Sequence, residues 1–224
     1  MDAGITSMAA SLKGNEAGMA YRTLHIDHGG GSLATLWLNR PGQRNAIDAL
    51  MLEELTAAFA GLGSGGPFEP LRALVLAARG PVFCAGAAPE VTPARLDGLL
   101  QAIHACPVPV VAKVQGDCLG AGMALAAACD IVLAAGQAGF CIADPGLAAS
   151  AFIPWVARAM PARAAQRYLL TAERFSAFEA KQLGFVHEVT TADALDERTN
   201  AIASALLQAD AQTLAASRRL LRQM

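Results

Sequence analysis

The sequence predicts an α/β fold, and three observations carry that prediction. Two near-continuous apolar runs, Ala73 to Ala78 (ALVLAA) and Val108 to Val114 (VPVVAKV), are each followed by a glycine-containing turn and a helix-like segment. A third apolar run, Ile131 to Ala134 (IVLA), follows the helix-like stretch Gly122 to Cys129. Runs that are apolar on both faces read as buried parallel strands, and their alternation with helical segments favours an α/β architecture.

The remaining elements follow in chain order. Tyr21 to Asp27 and Leu33 to Leu38 are β-rich runs joined by His28-Gly29-Gly30-Gly31-Ser32, the composition of a hairpin connection. Asp48 is placed to cap a helix whose apolar positions Leu52, Leu55 and Phe59 recur at helical spacing, and the glycines from Gly61 to Gly66 end it. From Pro154 onward the pattern turns helical. Ser176-Ala177-Phe178-Glu179 is a capping-box signature for a short helix ending at Gly184, followed by a strand at Val186 to Val189 and two final helices. No internal repeat is evident in the sequence.

These elements divide 224 residues into a disordered leader at 1–19, a core at 20–190 and a helical C-terminal region at 191–224. The leader is rich in Ala, Gly and Ser and lacks the basic and apolar blocks of a secretory signal.

The composition is 54% hydrophobic and 16% charged, which excludes disorder for the body of the chain and suggests that some apolar surface faces another subunit. A net charge of -2 without a basic run argues against nucleic-acid binding. The longest uncharged stretch, Gly98 to Ala112, contains Gln101, His104, Pro107 and Pro109 and is shorter than the ~20 apolar residues of a membrane span. Five scattered cysteines without a C-x-x-C pair fit neither a disulfide framework nor a zinc site. They read as small buried residues of a cytoplasmic protein.

The chemistry is sought where the buried strands end, at Val82 to Ala87 and at Gly116 to Gly122. Small residues let a ligand approach the backbone, and the second loop runs into a helix whose first N–H groups are unsatisfied and positively polarised. Two such loops make a two-donor oxyanion site; the purely structural alternative is a pair of tight turns. Other chemistries fit less well. Gly120-x-Gly122 lacks the third small residue of a dinucleotide fingerprint, and there is no G-x-S-x-G nucleophile turn. The four histidines, His25, His28, His104 and His187, have no metal-binding spacing and read as surface or packing residues.

Phe83-Cys84-Ala85-Gly86-Ala87, taken with Gly116-x3-Gly120-Ala121-Gly122 and Cys129-Asp130-Ile131, resembles the enoyl-CoA hydratase/isomerase (crotonase) family. Leu38-Asn39-Arg40-Pro41 with Asn45-Ala46, Pro107 to Val111 and Ala177 to Val189 extend the resemblance over roughly Tyr21 to Leu221. Arg158 to Val189 is most similar to methylglutaconyl-CoA hydratase-like members.

The resemblance implies a ββα spiral core, a helical C-terminal region used in trimerisation or in a dimer of trimers, and an acyl-CoA thioester as substrate. It implies no catalytic cofactor or metal, coenzyme A being part of the substrate. The backbone N–H groups of Ala87 and Ala121 would hold the thioester oxygen as it becomes an enolate. Pantetheine and nucleotide would pass Arg44, Ala46, Ala85, Ala87 and Gly120, with Arg44 or Arg40 offering charge to phosphate; a solvated loop arginine is the plainer reading.

Family hydratases use two carboxylates in opposed proton-transfer roles. The first falls on Ala124 here, which moves no proton, while Asp117 precedes the loop and needs a different geometry. Counted from Phe140, the second falls on Asp144; counted back from Gly146-Leu147 to Pro154, the segment is two residues short and the acid is absent. Asp144 before Pro145-Gly146 is also a typical turn starter. Ala88 likewise replaces an acid usual after Gly-Ala. Two readings result: a hydratase or isomerase in branched-chain or fatty acyl-CoA catabolism, and a catalytically silent acyl-CoA-binding homologue. Outside the family, a plain α/β ligand-binding domain is the alternative.

Overall fold

The two β-rich runs at the start of the chain pair as an antiparallel hairpin, β1 (Leu24–His28) and β2 (Leu33–Leu38), with Leu24 opposite Leu38. The computed structural model describes residues 21–28, 31–62, 71–142 and 149–222; the leader expected at 1–19 and the candidate acid Asp144 lie outside them. A 3-10 turn at Pro41–Gln43 leads into α1 (Ala49–Gly61), where the Asp48 side chain accepts the Met51 N–H as a helix cap.

Then the chain repeats one unit: strand, short strand, helix. The turns of this ββα spiral are β3 (Ala73–Ala78), β4 (Val82–Cys84) and α2 (Pro93–Ala105); β5 (Val110–Val114), β6 (Asp117–Leu119) and α3 (Ala121–Ala128); and β7 (Ile131–Ala135), β8 (Gly139–Cys141) and α4 (Ala149–Arg158). After α5 (Ala162–Thr171) come β9 (Phe175–Ser176), α6 (Ala177–Gln182), β10 (Glu188–Thr190), α7 (Leu195–Gln208) and α8 (Ala211–Leu221). The repeat is structural, without a repeating sequence.

The spiral builds two sheets. The first has the order β1-β2-β3-β5-β7-β10, parallel beyond the opening hairpin. The second has the order β4-β6-β8-β9, and its first three strands are parallel. The segments read from sequence as loops after the buried strands therefore contain strands β4 and β6. Three-residue strands are too short to show a periodicity, and their apolar content merged with the neighbouring turns.

Alternation explains why β3 is apolar throughout. Leu74, Leu76 and Ala78 enter the main core, while Val75 and Ala77 face a second cluster with Val111, Leu133 and Leu195, covered by α7. Each large aliphatic side chain so buried contributes about 1.5–3 kcal/mol. Lys113, buried on this second face, bonds Asp196 of α7 and lies 4.5 Å from the centroid of the Trp37 ring.

Helices α2 and α4 flank α3 and are joined by side chains. Trp155 Nε1 donates to Asp97 at 3.0 Å, and the Arg158 guanidinium stacks 3.8 Å above the Trp155 ring. The capping box at Ser176 and Glu179 forms as expected, and α6 ends at Gly184 with φ +77. Several expected boundaries move: the first strand is Leu24–His28 rather than Tyr21 to Asp27, the run at Val108 to Val114 becomes a strand only from Val110, the helix assigned from Pro154 begins at Ala149, and the last strand is Glu188–Thr190 rather than Val186 to Val189.

The final helix is held by a charge clasp. Arg218, 6% exposed, donates to both carboxylate oxygens of Asp130 at 2.9 and 2.7 Å and to the Cys106 carbonyl at 2.9 Å. Asp130 also accepts the Val110 N–H at 2.8 Å, tying α8 to the start of β5.

Candidate active site

Strands β4 and β6 run parallel, with Val82 opposite Asp117 and Cys84 opposite Cys118. The two glycine-rich segments therefore leave the second sheet side by side. After β4 the chain turns at Gly86, whose φ of +107 excludes most side chains. The segment 44–47 is laid along this turn. Ala85 N–H donates to the Arg44 carbonyl at 3.1 Å, Ile47 N–H to Gly86 O at 2.9 Å, and Ala88 N–H to Ile47 O at 2.8 Å.

After β6, Gly120 adopts φ +48 and ψ -118 and donates its N–H to the Cys141 carbonyl at 2.9 Å. Helix α3 starts at the next residue. At this first position the Ala121 N–H has no intrahelical acceptor, and the helix dipole makes the position favourable for negative charge. Gly122 explains how closely the two segments pack: a Cβ there would lie 2.7 Å from both Cys84 Cβ and Cys84 O.

Charge is arranged around this corner. Arg40 is paired with Asp48, so of the two arginines considered for phosphate, Arg40 is already committed. Burial pushes the Asp48 carboxyl up, but hydrogen bonds from the Met51 N–H and Arg40 outweigh it and hold it below its usual range. Arg44, left-handed at φ +53, keeps a half-exposed guanidinium with Nη2 4.0 Å from Asp117 Oδ2. On its other oxygen Asp117 bonds Arg174, and Gly139 leaves room for this pair: a Cβ there would meet the Arg174 guanidinium at 2.7 Å and Asp117 Oδ1 at 2.8 Å. Asp117, read from the sequence as preceding the loop and needing a different geometry to serve as an acid, is an ion-pair partner here.

Helix α3 supplies no proton-transfer group, since Ala124 is completely buried among Met123, Leu125 and Ala126. His187 accepts the Val132 N–H on Nδ1 at 3.0 Å, and burial lowers its pKa. His104 is also lowered, by burial and then by Arg158. Burial raises the thiols of Cys118 and Cys129 well above their usual value, which makes them poor nucleophiles. Among the described residues no cluster of histidine, cysteine, aspartate and glutamate is arranged to hold a metal ion, and no helix is long and apolar enough to cross a membrane.

The structure thus brings Arg44, Ala46, Ala85, Ala87, Gly120 and Ala121 to one corner of the second sheet. Two residues there escaped the sequence reading. Arg174 lies far from Asp117 in sequence and carries no local signal. Asn45, noted only as part of a motif, is completely buried, and its side chain makes three hydrogen bonds to backbone. An asparagine just after an Arg-Pro-Gly turn, a residue type that tolerates left-handed backbone, is the sequence signal that points to it.

Comparison with known proteins follows from this geometry. The family model for enoyl-CoA hydratase/isomerase matches residues 28–223. A probable enoyl-CoA hydratase of Rhodobacter capsulatus is 37% identical over 184 residues, covering 76% of this chain and 69% of that protein. Among solved structures, an enoyl-CoA hydratase of Mycobacterium smegmatis superposes with a TM-score of 0.83 at 33% identity, over 90% of this chain and 82% of the other. A monofunctional enoyl-CoA isomerase of the same organism gives a TM-score of 0.80 at 26% identity, over 90% and 93% of the two chains.

Proposed function

Because the chain belongs to the enoyl-CoA hydratase/isomerase family, and so is a hydratase or isomerase, we propose that it acts through an enolate held by the backbone N–H groups of Ala87 and Ala121. The observation that carries this reading is the side-by-side exit of the two glycine-rich segments from β4 and β6, the second straight into the N-terminus of α3. As water adds to an enoyl thioester, or as a proton moves along it, charge develops on the carbonyl oxygen. Pre-aligned donors then stabilise the transition state more than the ground state.

Coenzyme A is part of the substrate in this reading, and no further cofactor takes part. The pantetheine and nucleotide pass Ala46, Ala85, Ala87 and Gly120, and Arg44 meets a phosphate. With Ala124 in place of a carboxylate, α3 moves no proton, and Asp144 is the proposed acid. One carboxylate suffices to shuttle a proton between carbons in an isomerisation; rapid hydration recruits two groups in opposed roles. We extend the proposal to a cytoplasmic homotrimer or dimer of trimers. The exposed apolar side chains Leu170, Phe178, Leu220 and Leu221 support subunit contact.

The test is incubation of the purified protein with straight and branched enoyl-CoA thioesters, 3-methylglutaconyl-CoA included, with products followed by mass and double-bond position. We expect turnover of at least one thioester, by gain of water in the hydratase case or by an isomerised product of unchanged mass. Binding of thioesters without turnover of any would identify a silent acyl-CoA-binding homologue and overturn the proposal.

A further inference from the structure

We propose that Asn45 is a positioning residue for this reaction: it pins the Arg44–Ile47 segment and thereby aims the peptide whose N–H is the Ala87 donor. The inference rests on the oxyanion reading above and deepens it by naming what holds that donor in place.

Asn45 is completely buried with φ +54, a left-handed conformation that asparagine tolerates better than most residues. Its amide nitrogen donates to the carbonyls of Arg79 at 2.9 Å and Val82 at 2.8 Å. Its Oδ1 accepts the Arg40 N–H at 2.8 Å. Both amide protons and the carbonyl oxygen are thus engaged, so the loop before α1 is fastened to the turn between β3 and β4.

Ile47, two residues on, transmits this tie. Its N–H donates to Gly86 O, and its carbonyl accepts the Ala88 N–H. The Gly86 carbonyl and the Ala87 N–H belong to one planar peptide unit and point in opposite directions. A grip on that oxygen therefore sets the direction of the N–H. The Cys84 thiol, 3.6 Å from the same oxygen, adds a weak second donor. Aim matters because an oxyanion donor works only within hydrogen-bond reach of the charge that develops.

The test uses Asn45→Ala and Asn45→Gly; glycine takes φ +54 without strain. Each is compared with wild type by melting curve, by kinetics on an enoyl-CoA that wild type turns over, and by isotope-edited infrared spectroscopy of bound [1-13C]butyryl-CoA, which has no double bond to react. In wild type the thioester carbonyl stretch shifts to lower frequency on binding. In a folded variant the shift falls by about half or more, and kcat drops about 10-fold or more with a smaller change in KM, a fraction of the loss on removing a donor outright. A folded variant that keeps the full shift and wild-type kcat overturns the inference and leaves the oxyanion reading standing. Failure of both variants to fold assigns Asn45 a purely structural role and also overturns it. Absence of any carbonyl shift in wild type overturns the oxyanion reading itself.

Discussion

A Gly122→Ala variant is expected to fold and to lose about 100-fold or more in turnover. The added methyl would sit 2.7 Å from the Cys84 carbonyl oxygen and Cβ, a distance that backbone atoms cannot accommodate without movement. The neighbour is strand β4, paired to β6, so helix α3 is the element that gives way. Its first residue is Ala121, and the shift carries the proposed donor off the thioester oxygen. Overpacking of this kind costs about 1–3 kcal/mol of stability, which a domain of this size tolerates. Melting curves and kcat measured on one preparation check it. Wild-type turnover in a variant with a lowered melting temperature would separate the packing of α3 from catalysis.

The second large effect is on stability. Asp130→Ala leaves the Arg218 guanidinium, with a side chain 7% exposed, without its anion, and it removes the acceptor of the Val110 N–H. Breaking one side of a fully buried pair costs about 3–5 kcal/mol, and with the Asp130 side chain 26% exposed the loss is expected at the lower end, about 3 kcal/mol. At about 2–4 °C per kcal/mol for a chain of this size, the melting temperature drops by roughly 10 °C. Removing the charge on both sides, in Asp130→Ala with Arg218→Leu, is expected to cost less than Asp130→Ala alone. Equal losses in the single and double variants would show that the clasp contributes nothing through its charge.

Those two sites also mark what the sequence revealed. Asp130 was visible within Cys129-Asp130-Ile131, but its partner Arg218 lies in the last helix, and no local pattern links the two. The elements of the first sheet were legible because β3 is apolar on both faces, β5 is so apart from Lys113, and both are long enough to register as runs. Local chemistry announced the caps at Asp48 and Ser176, and both form. The second sheet was not legible: β4, β6 and β8 are three residues each and gain their stability from neighbours brought together by the spiral.

At the candidate site the same division holds. Gly86, Gly120 and Gly122 were legible, because glycine is the residue best suited to a positive-φ turn and the only one that fits a 2.7 Å approach to another backbone. The commitment of Arg40 to Asp48, and of Asp117 to Arg174, emerged only in three dimensions. So did the role of Asn45, whose partners lie more than thirty residues away at Arg79 and Val82.

Whether the Ala121 N–H stabilises the enolate is decided by an Ala121→Pro variant. Proline is well tolerated at the first position of a helix, where the N–H it lacks has no helical partner, so the substitution deletes the donor and spares α3. The variant is expected to melt close to wild type and to turn over its enoyl-CoA about 100-fold or more slowly. A folded Ala121→Pro enzyme with wild-type kcat would contradict that role of the Ala121 N–H.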